Sequence, residues 1–190
     1  MFKLLYNTNT AWLDAVMNDF NAFLLDHAAA EKKASGMAMS MLSHYPDRTL
    51  LVQQMVEIAI EELAHFREVV KLLHQRNLTT GADEKDAYVN QLRQQFRKGS
   101  ELYMLDRLIL GGIIEARGYE RFSMIAEALE AGVEKKFYQS IASSEAKHKD
   151  TFIELAKHYF DHQQVKERLD ELLLIEAQIT SELPIRAALH

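Results

Sequence analysis

Apolar side chains recur every three to four residues along most of the chain, which is the spacing of one face of an α-helix. The first helical segment runs from about Thr10 to Leu42 and is followed by the break SHYPD at residues 43–47. Pro46 disfavours helix in the residue before it, and Asp47 is a good cap for the helix that follows. The pattern therefore predicts a second helix from this cap to about Arg76.

The second half of the chain repeats this organisation. A third helix is predicted from a cap at Ser100 to about Glu130, and a fourth runs from about Glu134 to Phe160 after a break at Gly132. Asp161 is suited to cap a last amphipathic helix that reaches about Ser181.

The two halves are joined by a long connection, residues 77–99, in which we expect a short helix over about residues 83–97. This connection is long enough to cross the length of a helix of about 30 residues, which measures about 45 Å. The pattern predicts an all-α, ferritin-like four-helix bundle with a crossover connection and an additional C-terminal helix. Residues 1–190 are expected to form a single domain. A plain up-and-down bundle with a flexible loop is the alternative.

The composition of the chain excludes several classes of function but says less about the fold. The chain has no cysteine, which excludes a thiolate metal site, a cysteine nucleophile and an iron–sulfur cluster within it. No apolar run approaches the length of a membrane span, and the N-terminus does not have the pattern of a secretory signal, so a cytoplasmic protein is expected. The net charge of −6 is unfavourable for binding nucleic acid over the whole surface, so any RNA contact would have to be local.

Acidic and imidazole side chains interrupt the apolar stripes at positions that face the core. The stripe of the second helix passes through Glu62 and His65, and that of the fourth passes through Glu145 and His148. A buried, unpaired carboxylate is very costly, so these residues require partners. The stripes of the first and third helices contain one glutamate each, Glu31 and Glu115.

These six residues form an internal repeat, because Glu115 follows Glu31 by 84 residues, and Glu145 and His148 follow Glu62 and His65 by 83. One Glu from each of two helices and a Glu-x-x-His from each of the other two is the ligand set of di-iron and di-manganese carboxylate proteins. Four carboxylates also neutralise two divalent cations. A buried ion-pair network without metal is the alternative, and it needs inward-facing Lys or Arg, which the stripes do not contain. Iron is favoured over manganese because a pair of ferrous ions can supply O2 with two electrons.

Four segments, in this order and spacing, resemble the bacterial tRNA 2-methylthio-N6-isopentenyladenosine hydroxylases: LLDHAAAEKKASGMAM, EIAIEELAHFREV, LILGGIIEARGYERF and SSEAKHKDTF. The resemblance extends from about Trp12 to the tail LPIRAALH. It implies a non-haem di-iron monooxygenase that uses O2 to hydroxylate the isopentenyl side chain of a modified adenosine beside the anticodon of tRNA. By the same resemblance, the iron ligands are Glu31, Glu62, His65, Glu115, Glu145 and His148.

Other classes remain open at this level. A ferritin-like or rubrerythrin-like protein that oxidises Fe(II) or reduces peroxide would use the same ligands without an organic substrate, whereas a purely structural helical adaptor leaves the buried carboxylates unexplained. A monooxygenase needs two external electrons per turnover, and the chain has no nucleotide-binding G-x-G-x-x-G loop. We therefore expect a separate reductase or ferredoxin. The basic residues that could contact tRNA are scattered: Lys32, Lys33, Arg93, Arg97, Lys98, Arg117, Arg121, Lys135, Lys136, Lys147 and Lys149.

Two further interpretations concern the surroundings of the ligands. Each predicted carboxylate ligand has a small residue three positions before it, and in the third helix a double glycine, Gly111 and Gly112, lies beside Glu115. Two glycines cost a helix about 1–2 kcal/mol relative to Ala, so they are interpreted as a cavity through which the prenyl chain approaches the metals. His27, one turn before Glu31, is interpreted as a packed or rim histidine and not as a ligand.

Overall fold

The computed structural model describes residues 2–190, and these residues form seven α-helices and no strand. The helices are α1 (Thr10–Asn18), α2 (Phe20–His44), α3 (Thr49–Gln75), α4 (Ala87–Arg93), α5 (Ser100–Ala128), α6 (Val133–Tyr159) and α7 (His162–Glu182). The predicted long helices are all present to within a few residues. None of the helices between residues 2 and 190 combines the length and apolar character that a membrane span requires.

Several boundaries differ from the prediction. The N-cap of α3 is Arg48 and not Asp47, and that of α5 is Gly99 and not Ser100, and neither cap residue makes a side-chain hydrogen bond. The short helix of the connection ends at Arg93 and not near residue 97.

At two other boundaries, aspartates begin the helices. The predicted first helix is two helices, since the carboxylate of Asp19 accepts the backbone N–H of Ala22 and caps α2. The short helix of the connection begins at Ala87, not near residue 83, because Asp86 is the residue that caps it. Asp161 caps α7 as predicted, by accepting two backbone N–H groups.

The chain divides into two compact units. The first, which we call the α2–α3 unit, comprises Asp14–Lys85 and Arg186–Leu189, and in it α2 packs along α3. The second, the α5–α7 unit, comprises the described residues up to Leu13 together with Asp86–Ile185 and His190. In this second unit α5 packs along α6, and α7 packs on α4, α5 and α6. Each unit contains one copy of the sequence repeat, and the single domain over residues 1–190 stays a prediction.

The helix α5 is buried around most of its circumference, and it includes buried arginines that the stripe pattern did not predict. Arg107, Arg117 and Arg121 are at most 7% exposed. Arg117 donates two hydrogen bonds of 2.8 and 2.9 Å to one carboxylate oxygen of Glu176 on α7. Glu176 is itself fully buried and also accepts the hydroxyl of Tyr88 from α4. The prediction that no Lys or Arg faces inward was therefore wrong for α5, and also for α6, where Lys149 is buried.

The remaining donors of Arg117 bind the N-terminal segment of the same unit. Arg117 donates to the backbone oxygen of Tyr6 and to the hydroxyl of Thr8, and it forms an ion pair with Glu120. Burial lowers the pKa of the guanidinium, but Glu176 outweighs this effect and the net pKa of Arg117 is raised. The buried arginine is thus fully paired, and it ties α5, α7 and the N-terminal segment together.

A second buried ion cluster holds the end of the connection against α5 and α7. Asp106, fully buried on α5, accepts hydrogen bonds from the side chains of Arg97 and Arg168 and from the backbone N–H of Arg97. Burial raises the pKa of Asp106, but these donors outweigh the desolvation and the net pKa is lowered. Arg97 therefore has a structural partner, which removes it from the tRNA-contact candidates together with the buried Arg117 and Arg121.

Candidate metal centre

The α2–α3 unit brings together three of the six predicted ligands, which we call the first triad: Glu31, Glu62 and His65. One ligand atom of each residue lies within 4.8 Å of the others. The Nδ1 atom of His65 is 3.5 Å from Glu31 Oε2 and 3.8 Å from Glu62 Oε2. Both carboxylates are at most 3% exposed. The Glu-x-x-His spacing places Glu62 and His65 on one face of α3, towards the residue that α2 supplies.

The buried atoms of the first triad fit a metal cation. Glu31 Oε2 and His65 Nδ1 are buried and make no hydrogen bond, although they lie 3.5 Å apart. Buried polar atoms are nearly always hydrogen-bonded, and two such atoms that face each other are typical of ligands to a shared ion. Burial, reinforced by the charge of Glu62, raises the pKa of Glu31 well above its usual range. Burial lowers the pKa of His65, but the two carboxylates outweigh it and raise that pKa to about 10. The triad thus attracts positive charge, which a divalent cation supplies.

His27 determines how Glu31 is presented. Its ring is fully buried one turn before Glu31, and its Nε2 lies 2.6 Å from Glu31 Oε1. Burial lowers the pKa of His27 to about 3, so the ring is neutral. When Glu31 is ionised, as a metal ligand is, the carboxylate can only accept, and the Nε2–H tautomer of His27 donates to it. Glu31 then has one oxygen held by His27 and the other directed at His65. The interpretation of His27 as a packed histidine missed this role, for which the four-residue spacing to Glu31 was the available signal.

The α5–α7 unit contains the second triad: Glu115 on α5 with Glu145 and His148 on α6. One ligand atom of each again lies within 4.8 Å of the others, and all three side chains are at most 6% exposed. The Nδ1 atom of His148 is 3.7 Å from Glu115 Oε2, while its Nε2 is 3.5 Å from the hydroxyl of Ser144. In both triads it is therefore the Nδ1 atom of the histidine that faces the carboxylates. Ser144 is in place to orient the second imidazole.

The double glycine beside Glu115 has a packing role. A Cβ on Gly111 would lie 2.9 Å from the ring of Phe152, and a Cβ on Gly112 would lie 3.1 Å from Ile153. The space beside both glycines is therefore filled by α6, and the glycines allow α5 and α6 to approach closely. The free volume that the sequence interpretation placed on this side is absent, and Gly112→Leu would push the two helices apart.

Gly118 is a position that the sequence interpretation overlooked. It lies on α5 one turn after Glu115, and a Cβ there would be 2.8 Å from the Oε2 atom of Glu145. Gly118→Ala should therefore displace the Glu145 carboxylate while favouring the helix by about 1 kcal/mol. We expect the variant to fold as stably as the unsubstituted protein and to bind metal about tenfold or more weakly, since misoriented ligands typically cost 10–100-fold in affinity.

Two measurements check this expectation: thermal unfolding by circular dichroism and iron per chain after dialysis against a chelator. The matched control is Gly36→Ala on α2, where an added Cβ meets no atom within 4 Å. This control should gain stability without losing metal. A Gly118→Ala protein that retains its metal as well as the control does would contradict a ligand role for Glu145.

Residues 2–190 thus form an all-helical protein with two buried Glu/Glu/His triads, which is the chemistry of a carboxylate-bound metal enzyme. The family model described as tRNA-(MS[2]IO[6]A)-hydroxylase (MiaE) matches residues 2–190. The chain belongs to this family, as the resemblance predicted.

Curated relatives agree with the family match. The chain is 32% identical over 154 residues to the tRNA 2-(methylsulfanyl)-N(6)-isopentenyladenosine(37) hydroxylase of Pseudomonas putida, which covers 81% of this chain and 75% of that protein. It is 33% identical over 132 residues to the enzyme of the same name from Salmonella typhimurium, which covers 70% of this chain and about half, 48%, of that protein.

A solved structure extends the comparison to the fold. The chain is similar to a Synechococcus protein described as "Protein 43 with aldehyde deformylating oxygenase activity", with a TM-score of 0.94 and 29% identity. The likeness covers 100% of this chain and 96% of that one. It confirms the predicted all-α, ferritin-like fold class.

Proposed function

We propose that this protein hydroxylates the isopentenyl side chain of 2-methylthio-N6-isopentenyladenosine in tRNA, at a centre of two iron ions. The observation that supports this most is the family match over residues 2–190 in a chain that retains all six predicted ligands. The triads alone would serve an Fe(II)-oxidising or peroxide-reducing protein equally well. The family match is what favours a tRNA substrate, and with that substrate we propose a cytoplasmic location for the activity.

Each triad would hold one of the two irons. Glu31, Glu62 and His65 are the ligands in one unit, and Glu115, Glu145 and His148 are those in the other. Four carboxylates balance the charge of two Fe(II) ions, and six residues leave coordination positions open. When bound, the irons would activate O2 for insertion of one oxygen atom into a C–H bond. Iron fits better than zinc because zinc sites usually have fewer ligands and fewer carboxylates.

The side chains around the triads position the ligands and exclude water. The hydrogen bond from His27 fixes one oxygen of Glu31, and Ser144 is placed to fix the ring of His148. The near-complete burial of the carboxylates removes competing water from them, which strengthens every electrostatic interaction inside. These residues therefore keep the ligand set in one arrangement during turnover.

The reaction balances only with an external electron source. One C–H bond becomes C–OH, the second oxygen atom of O2 leaves as water, and two electrons and two protons are consumed. The chain contains no cysteine for an iron–sulfur cluster and no G-x-G-x-x-G loop for a nicotinamide or flavin. A separate reductase or ferredoxin is therefore part of the proposal.

The test supplies iron-loaded protein with tRNA that bears the prenylated adenosine, followed by mass spectrometry of the digested nucleosides. We expect a gain of one oxygen atom in the modified nucleoside when a ferredoxin and its reductase are added, and no gain with NADPH alone. Turnover with NADPH alone would refute the separate donor. Absence of product with every donor, together with rapid Fe(II) oxidation, would instead favour the iron-handling alternative.

A further inference from the structure

The α2–α3 unit contains a cavity of about 670 Å³. Its walls come from α2, from Phe66 on α3, from the loop that follows α3 and from the C-terminal segment. The lining residues are Asp19, Ala22, Leu25, Asp26, Ala28, Ala29, Lys32, Phe66, Thr80, Gly81, Ala82, Asp83, Glu84, Arg186, Ala187 and Ala188. Three of the lining residues from α2 are alanines, and their small side chains leave this space unfilled.

The cavity lies next to the turns of helix that contain the first triad. Ala28 lines it and precedes Glu31 by three residues, so the two are neighbours on α2. Phe66 also lines it and directly follows His65 on α3. The free volume that small residues before the ligands suggested is thus present beside Ala28, and not beside Gly112. Phe66 is the one aromatic ring of the lining.

The walls match the chemistry of a modified nucleoside. Ligand pockets for small molecules usually measure roughly 300–1,000 Å³ and have mostly apolar walls with a few polar groups. Here Leu25, Phe66 and six alanines supply the apolar part of the lining, and its charged residues are four carboxylates and two cations, Lys32 and Arg186. The apolar part suits a branched five-carbon chain and the face of a base. The carboxylates can accept ribose hydroxyls, and the two cations are the groups available to a phosphate.

The two cations of the lining, Lys32 and Arg186, pair with groups that another anion can replace. Lys32 donates to Asp83 at 2.8 Å, and both side chains are more than 40% exposed. Arg186 lies 4.0 Å from Glu84, and Lys33 donates to the backbone oxygen of Glu84. Exposed ion pairs contribute little to stability, so an RNA phosphate can replace a loop carboxylate at Lys32.

We infer that this cavity is the binding site for the prenylated adenine of the tRNA substrate, with Lys32 and Arg186, the two cations of its lining, available for the adjoining phosphates. The inference rests on the proposed function for the identity of the ligand. It assigns the approach to the metals to the Ala28 side of the first triad.

The test is binding of the free nucleoside N6-isopentenyladenosine, measured by equilibrium dialysis with iron-loaded protein and no reductant, so that no turnover occurs. Ala29 lines the cavity, whereas none of the six proposed ligands does, so Ala29→Leu reduces the cavity volume and we expect it to weaken binding at least tenfold. The matched control is Ala30→Leu, the next residue of α2, which does not line the cavity. Circular dichroism and iron content should be equal for both variants.

The outcomes separate the inference from the function. Equal nucleoside binding by Ala29→Leu and the control, or no binding by the unsubstituted protein, would overturn the cavity as the site even if tRNA is hydroxylated. Binding lost only in Ala29→Leu would support it, and a protein that binds in this way yet never hydroxylates tRNA would refute the proposed function alone. If Ala29→Leu fails to fold, Ala22→Leu, at another lining residue of α2, serves for the same comparison.

Discussion

Glu115→Ala is expected to reduce hydroxylase activity below detection and to lower the iron content from about two ions per chain to one or fewer. Glu115 lies 3.7 Å from His148 Nδ1 and is almost fully buried, so an alanine leaves the second triad with one carboxylate and no replacement from solvent. The measurements are nucleoside mass spectrometry for activity and metal analysis of the dialysed protein.

Glu127→Ala is the matched control for this experiment. Glu127 is an exposed glutamate on the same helix, so its replacement should change neither activity nor iron content. Full activity in Glu115→Ala would disprove the proposed ligand set, whereas equal losses in both variants would indicate damage to α5 rather than to a metal ligand.

Glu176→Ala is expected to lower the free energy of unfolding by about 3–5 kcal/mol, because it leaves the buried charge of Arg117 without its main partner. It also removes the acceptor of the Tyr88 hydroxyl. Urea denaturation gives the free energy of unfolding of each protein. The control is Glu171→Ala on the same helix, whose carboxylate is 58% exposed and pairs with Arg168.

This control should cost less than about 1 kcal/mol, the usual value for a pair that includes an exposed group. A Glu176→Ala protein that is as stable as the control would show that the rest of the Arg117 cluster satisfies the guanidinium. Such a result would indicate that the surrounding apolar contacts, and not the ion pair, stabilise this unit.

The candidate site was predictable because its polar residues occupy positions where the helical period calls for apolar ones. A glutamate or histidine on a stripe of apolar residues must face the core, and the same violation appears twice, 83 or 84 residues apart. The long helices were predictable for the same reason, since their stripes have the helical period and few glycines or prolines interrupt them.

The buried arginines of α5 were not predictable from this pattern. A stripe can be recognised only where the rest of the helix is polar and exposed, and α5 is covered on most sides. Besides Glu120 on the same helix, the partners that satisfy the buried Arg117 are 59 and 109–111 positions away in the chain. Nothing in the local sequence distinguishes it from an arginine on a solvated face.

Glycine was ambiguous for a related physical reason. Glycine has no side chain and leaves room beside the helix. The sequence does not say whether a neighbouring helix, the side chain of a metal ligand or nothing at all fills that room. At Gly111 and Gly112 the occupant is α6, at Gly118 it is the carboxylate of Glu145, and at Gly36 there is open space. Only the distances from each missing Cβ separate the three cases.

The hydrogen bond from His27 to Glu31 couples the first triad to a single proton that can be followed by spectroscopy. Short hydrogen bonds to a carboxylate shift the donor proton far downfield in the NMR spectrum, and a ring that is fully buried protects that proton from exchange with water. When the other oxygen of Glu31 binds a cation, the carboxylate becomes a weaker acceptor and the resonance moves back upfield. A diamagnetic ion such as Zn²⁺ then makes the His27 proton a direct reporter of occupancy at Glu31, independent of turnover.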